Sequence, residues 1–162
     1  MLNTLYTPPD VDAVFQEWGA NCGPTALAAV LGCPVSEVRH LFPDFAKRKY
    51  ANPSQIRQAV ESAGRSCQVT PQHRNGRDRL VPRNGLMFLQ WSSDDIDRKP
   101  IIVQYRSTHW VGVRDQLLYD CNAADGQGAW LDKQDWKLEL WPLFQEATGA
   151  TRFWIRTAYE VR

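Results

Sequence analysis

The sequence predicts an α+β fold, helices first and an antiparallel sheet after them. Three observations predict it. Up to Gly64, apolar residues recur at helical spacing between capping residues. Beyond it, β-branched and aromatic residues gather in short runs. The two kinds of element are segregated along the chain, the order of an α+β protein. A chain of 162 residues, 43% hydrophobic and 23% charged, suits one domain over 1–162 with a single core.

Each element has a local reason. Asn21-Cys22-Gly23-Pro24 leads into the apolar run Thr25 to Leu31; proline fits a first turn, and Gly32 ends the run. Ser36 is expected to cap a short helix from Glu37 to Leu41, stopped by Pro43. Asn52-Pro53-Ser54-Gln55 has the form of a capping box, after which Ile56, Ala59, Val60 and Ala63 recur on one face and Gly64 closes the helix. Candidate strands are Ser66–Thr70, Leu86–Trp91, Ile101–Arg106, His109–Arg114, Leu117–Cys121 and Phe153–Val161. Asp132 to Gln145 reads as one more helix, with Trp136, Leu140, Leu143 and Phe144 as its apolar side and Pro142 to kink or shorten it.

Composition narrows the function. Nineteen basic against eighteen acidic residues leave a formal net charge of +1, with no global pull toward nucleic acid or an anionic membrane. The local basic run from His73 to Arg79, with Arg83 behind it, reads as a solvated loop. No run is long and apolar enough to span a bilayer, and the first residues have no secretory pattern. Cys22, Cys33, Cys67 and Cys121 form no CxxC pair and no ligand spacing with histidine, so neither zinc nor any other cofactor is expected. Reduced thiols and a cytoplasmic location follow as expectations.

One of these thiols is placed for chemistry. A thiol is a nucleophile only as thiolate, and the unpaired amides and dipole of a helix start favour that anion. Cys22 stands at such a start, and Gly23 leaves space beside the sulfur for a substrate carbonyl. The plain alternative is a small buried residue in a helix cap. Gln16, six residues earlier on a presumed loop with Trp18, Gly19 and Ala20 as the turn, is a candidate oxyanion donor together with the Cys22 N–H; otherwise it is an exposed glutamine. The base must come from His40, His73 or His109. His40 lies in a short amphipathic helix and His73 in the basic loop, whereas His109 opens the strand Trp110-Val111-Gly112-Val113.

Register suggests the third group. With Asp115 and Gln116 at a hairpin turn, Val113 pairs with Leu118, Val111 meets Asp120 and His109 meets Asn122. Asn122 is the expected orienter of the imidazole; Asp120, on the same face, takes the role if a bulge shifts the register. Trp91 and Trp110, with the loop Ala124–Trp130, are expected to wall a substrate groove.

At these residues the chain resembles the papain-like cysteine peptidases. The nearest likeness is to the bacteriocin-leader peptidase domains of bacterial export transporters. It rests on Gln16-x5-Cys22-Gly23-Pro24-Thr25-Ala26-Leu27 and on Thr108-His109-Trp110-Val111-Gly112-Val113. Leu118-Tyr119-Asp120-Cys121-Asn122 also looks like the Josephin deubiquitinases around their third catalytic residue. The likeness covers Val14 to Asn122. It implies a helical part and a sheet part facing across a cleft, Cys22 as nucleophile, His109 as base, Asn122 or Asp120 as orienter and Gln16 as oxyanion donor. The implied activity is hydrolysis of a peptide or isopeptide bond in a peptide or protein substrate. Transglutaminase or deamidase chemistry with the same triad, and a peptide-binding module that does not cut, are the alternatives. The chain lacks the transporter to which leader peptidases belong, so a double-glycine leader is not the expected substrate.

Overall fold

The computed structural model describes residues 5–74, 78–92 and 108–162. The helices are α1 (Val11–Trp18), α2 (Cys22–Leu31), α3 (Val35–Val38), α4 (Phe45–Arg48), α5 (Pro53–Ser62), α6 (Ala123–Gly126), α7 (Lys133–Glu139) and α8 (Trp141–Thr148). The strands are β1 (Cys67–Val69), β2 (Asn84–Ser92), β3 (Thr108–Arg114), β4 (Leu117–Asp120), β5 (Ala129–Leu131) and β6 (Arg152–Val161). They form one antiparallel sheet in the order β1-β6-β2-β3-β4-β5. The fold is therefore α+β. The expected strand Ile101–Arg106 lies outside the described residues, as do three residues of the basic loop.

Several elements form for the reasons read in the sequence. Asn52 and Gln55 make both bonds of the capping box, each 2.9 Å. Gly32 ends α2 with a left-handed φ of 77°, where a side chain would be strained. Asp115 and Gln116, at φ 47° and 73°, make the β3–β4 turn, and Val113 pairs with Leu118 as expected.

Other elements differ. The presumed loop before Cys22 is helix α1, because Val11, Val14 and Trp18 are spaced to bury one face. Ser36 does not cap α3; Asp10 does so from a distance, its carboxylate accepting from the amides of Val35 (2.8 Å) and Ser36 (2.9 Å). The helix expected over Asp132–Gln145 is two, α7 and α8, meeting at Leu140; Asp132 caps the first and Pro142 sits in the first turn of the second. β5 lies in what reads as a loop.

The sheet carries apolar packing on both faces. On one, Leu86, Phe88, Trp110, Tyr119 and Tyr159 meet the N-terminal helices. Helix α2 lies directly across Gly112: a Cβ there would stand 3.1 Å from Val30 and 3.2 Å from the Ala26 carbonyl. On the other, Met87, Leu89, Val111, Val113, Leu118 and Ala158 meet Trp136 and Leu140 of the C-terminal helices. Helices thus cover the second face as well, beyond the arrangement the sequence suggested.

Candidate active site

Cys22 is the first residue of α2 and is partly exposed. Its position is fixed from both sides. The Asn21 side chain donates to the Val11 carbonyl (3.1 Å), tying the start of α2 to α1. The fully buried Thr25 hydroxyl donates to the carbonyl of Asn21 (2.8 Å) and approaches that of Cys22 (3.2 Å). Gly23 is buried; a Cβ there would stand 3.0 Å from Ala51 and 3.5 Å from Trp110. That space is filled by packing, not left open for a substrate carbonyl.

His109 lies near the start of β3 and is 5% exposed. By alternation it shares a face with Val111 and Val113, whereas Cys22 arrives from the opposite side with α2; the two meet at the end of the strand. The His109 ring and the Trp110 N–H both stand near enough to the Cys22 sulfur to lower its thiol pKa. His109 Nε2 is 2.9 Å from Asp120 Oδ1, which leaves Nδ1 for the sulfur. Asp120 is fully buried. Its Oδ1 also accepts from the Asn122 N–H (2.9 Å), and its Oδ2 accepts from Trp136 Nε1 (2.8 Å). Three donors on a buried carboxylate hold it ionised and fixed in direction.

The electrostatics follow from this arrangement. Burial alone lifts the Asp120 carboxyl, but the charge and hydrogen bond of His109, with the Asn122 and Trp136 donors, bring it below its ordinary value. Burial pulls the His109 ring down, but the Asp120 charge and hydrogen bond outweigh it, with a further rise from Cys22, and its pKa is pushed up to about 10. Burial raises the Cys22 thiol, yet the hydrogen bond and charge of His109 and the Trp110 amide carry it below the usual thiol value. Both shifts act in the direction of a thiolate–imidazolium pair.

Aromatic rings surround the imidazole. Phe144 of α8 lies 5.1 Å from it between ring centroids, and Trp91 lies 6.3 Å away, stacked on Phe144 at 4.5 Å. These rings keep water from the His109–Asp120 pair, where each charge interaction gains strength.

The structure assembles the expected residues selectively. Cys22, His109 and Asp120 come together. Asn122 does not reach the ring through its side chain, which is exposed; it contributes only its N–H to Asp120. The pairing ladder ends at Gly112–Tyr119, so the chain turns before Asn122 can stand opposite His109. Gln16 lies on the exposed side of α1 with its amide 3.3 Å from Asp12 Oδ1, not on a loop with the amide free. Trp91 and Trp110 are 5% and 1% exposed, buried among the described residues where a groove wall was expected. Trp91 backs the imidazole, and Trp110 sits in the core with its indole N–H on the Ala51 carbonyl (2.7 Å). Trp130 donates to the Tyr6 carbonyl. His40 and His73 are exposed and stand elsewhere. Sequence reasoning missed Trp136 and Phe144 as parts of the site; both were legible as an apolar helix face, but nothing in that pattern pointed to Asp120.

One group of donor atoms has the proximity of a metal site: His109, Asp120 and Cys121 lie within 4.8 Å of one another. Its chemistry is poor for that purpose. Asp120 is already surrounded by three N–H donors, and burial with the neighbouring charges of Asp120 and Cys22 holds the Cys121 thiol protonated. A cavity of about 870 Å³ lies elsewhere, between Leu80, Met87, Leu89, Phe153 and α7. Of the residues that bond within the site, Trp136 is the one that also lines this cavity.

Comparison with protein-family models, with curated proteins and with solved structures found no match to this chain.

Proposed function

We propose that the protein is a papain-like thiol hydrolase that cleaves a peptide or isopeptide bond, with Cys22 as nucleophile, His109 as acid and base, and Asp120 as orienter. The observation that carries this reading is the buried Cys22–His109–Asp120 relay at a helix start. In the proposed reaction the Cys22 thiolate attacks the carbonyl carbon, and the Cys22 N–H at the open end of α2 is the nearest backbone donor for the developing oxyanion. His109 then gives its Nδ1 proton to the leaving amine. It next takes a proton from water, which attacks the thioester and releases the acid. Asp120 keeps the Nε2 proton in place throughout and stabilises the imidazolium.

The geometry also supports a division of labour between the sheet faces. The nucleophile rides on a helix packed against one face, and the acid–base pair is anchored on the other by Trp136. A cleft between the two parts belongs to this proposal.

The test has two readings. In folded protein near neutral pH, iodoacetamide should label Cys22 faster than Cys33, Cys67 or Cys121. A panel of fluorogenic peptides and ubiquitin-like conjugates should then yield amine and acid products that disappear in Cys22→Ala. Equal labelling of the four thiols would overturn the activated nucleophile. Ammonia release from a glutamine substrate without chain cleavage would replace hydrolysis by deamidation.

A further inference from the structure

Cys121 has no part in the relay, yet three observations place it beside the site. Its sulfur lies within 4.8 Å of a His109 ring nitrogen and of an Asp120 oxygen. The Thr25 side chain, in the turn that Cys22 opens, is also near enough to lower the Cys121 thiol. Thirdly, Cys121 and Trp110 each stand two residues beyond the paired Gly112 and Tyr119 on one face of the sheet, and the Trp110 N–H is the amide on the Cys22 sulfur. Burial raises the Cys121 thiol most, and the charges of Asp120 and then Cys22 raise it further. The other thiols answer to different neighbours, Cys33 to Glu37 and Asp10, and Cys67 to Arg57 and Glu61.

We propose that Cys121 is the resolving cysteine of Cys22: a peroxide oxidises the Cys22 thiolate to a sulfenic acid, which the Cys121 thiol captures as a Cys22–Cys121 disulfide. The inference rests on the reading of Cys22 as an activated thiol. In the first step the sulfur attacks one peroxide oxygen. An S–O bond forms and the O–O bond breaks; the sulfur is oxidised by two electrons, and the leaving oxygen takes the His109 imidazolium proton to become an alcohol, or water if the peroxide is hydrogen peroxide. In the second step Cys121 attacks the Cys22 sulfur. The S–S bond forms, the S–O bond breaks, and the Cys121 proton leaves with the hydroxide as water. His109, left neutral by the first step and within reach of Cys121, is the base that moves that proton. The disulfide removes the nucleophile reversibly, and a thiol reductant returns it. Without Cys121, the sulfenic acid is left to a second peroxide and proceeds to sulfinic acid, which thiols do not reverse.

The experiment uses the full chain and hydrogen peroxide. Folded protein is oxidised, the remaining thiols are alkylated after denaturation, and peptides are identified by mass. The expected product is a peptide pair linked through Cys22 and Cys121, with both thiols recovered by dithiothreitol. In the isosteric Cys121→Ser variant, recovery of the Cys22 thiol should fall at least about fivefold while Cys22 sulfinic acid accumulates. A wild-type protein that forms no such linked pair, or that pairs Cys22 with Cys33 or Cys67, would overturn the proposal without reference to any variant. Oxidation of Cys22 no faster than of Cys33 would instead overturn the activated-thiol reading beneath it.

Discussion

Replacing Asp120 by asparagine removes one charge from the site with little change in shape. The Asp120 Oδ1 oxygen accepts from His109 Nε2 and the Asn122 N–H, and Oδ2 accepts from Trp136 Nε1. An asparagine amide has one acceptor oxygen. If that oxygen keeps the Oδ1 place, the NH2 group meets the Trp136 N–H, donor against donor. If it turns, the NH2 faces His109 Nε2 and forces the wrong tautomer. Either way the charge is gone. A charge pair at about 4 Å in an effective dielectric of about 20 interacts by about 4 kcal/mol, which is on the order of a thousandfold in proton affinity. The His109 pKa of about 10 should therefore fall to the ordinary imidazole range or below, because burial then acts with less opposition. Cys22 owes its lowered pKa to His109, so its thiolate should be lost with the imidazolium. Iodoacetamide labelling of Cys22, followed by mass from about pH 5 to pH 9, should fall at least about tenfold in Asp120→Asn at pH 6. The deficit should shrink toward pH 9, where a thiol ionises unaided. Labelling profiles that superimpose for the two proteins would refute the charge relay.

Trp136→Phe keeps a ring in the core but deletes the donor to Asp120 Oδ2, a charge-assisted bond that contributes about 1.5–3 kcal/mol. Urea unfolding should register a loss of that size, and Cys22 labelling near pH 6 should slow, though less than in Asp120→Asn. Asn122→Ala should leave Cys22 reactivity within about twofold, since only the Asn122 backbone meets the carboxylate; a tenfold fall would restore the side chain as orienter. Gln16→Ala should be equally mild in peptide turnover, its amide being engaged with Asp12; a loss of about a hundredfold would mark it as an oxyanion donor after all. Acid stability carries the sign of the Asp120 pKa. A carboxyl lowered in the fold contributes stability that is complete above its unfolded value of about 3.9 and is lost as pH falls through the folded value. From about pH 4 downward, the wild type should lose more unfolding free energy than Asp120→Asn; parallel losses in urea titrations would contradict the ionised buried carboxylate.

Local rules in the sequence were enough for much of this molecule. Asn52 and Gln55 specify a helix start by bonds that close within four residues, and Asp115-Gln116 specifies a hairpin because the turn and its flanking strands are neighbours in the chain. The placement of Cys22 at a helix start and the choice of His109 among three histidines came from the same short-range patterns. Helix α1, read as a loop, was nonetheless encoded in the spacing of Val11, Val14 and Trp18. Its formation puts Gln16 on a rigid exposed face where a loop would have left the amide free to turn.

Tertiary structure decided the rest, and the orienter shows why. The hairpin register was read correctly from Val113 and Leu118, but register continues only as far as the ladder does, and the ladder stops at Gly112–Tyr119. Which carboxyl or amide then meets His109 depends on where the chain turns and on what satisfies a polar group deprived of water. Asp120 prevails because the Asn122 N–H folds back onto it and Trp136, sixteen residues away on another helix, supplies the remaining donor. No local pattern encodes that encounter. The same holds for Trp91 and Trp110, which an alternating strand pattern assigns to faces without saying what covers them. Here Phe144 covers one, and Ala51 accepts the indole proton of the other. Sequence by itself determined most of the elements and the placing of Cys22 and His109 within them, because both depend on neighbours in the chain. Burial, donor satisfaction and the charge state of the site are sums over residues distant in the chain, and only the folded arrangement fixed them.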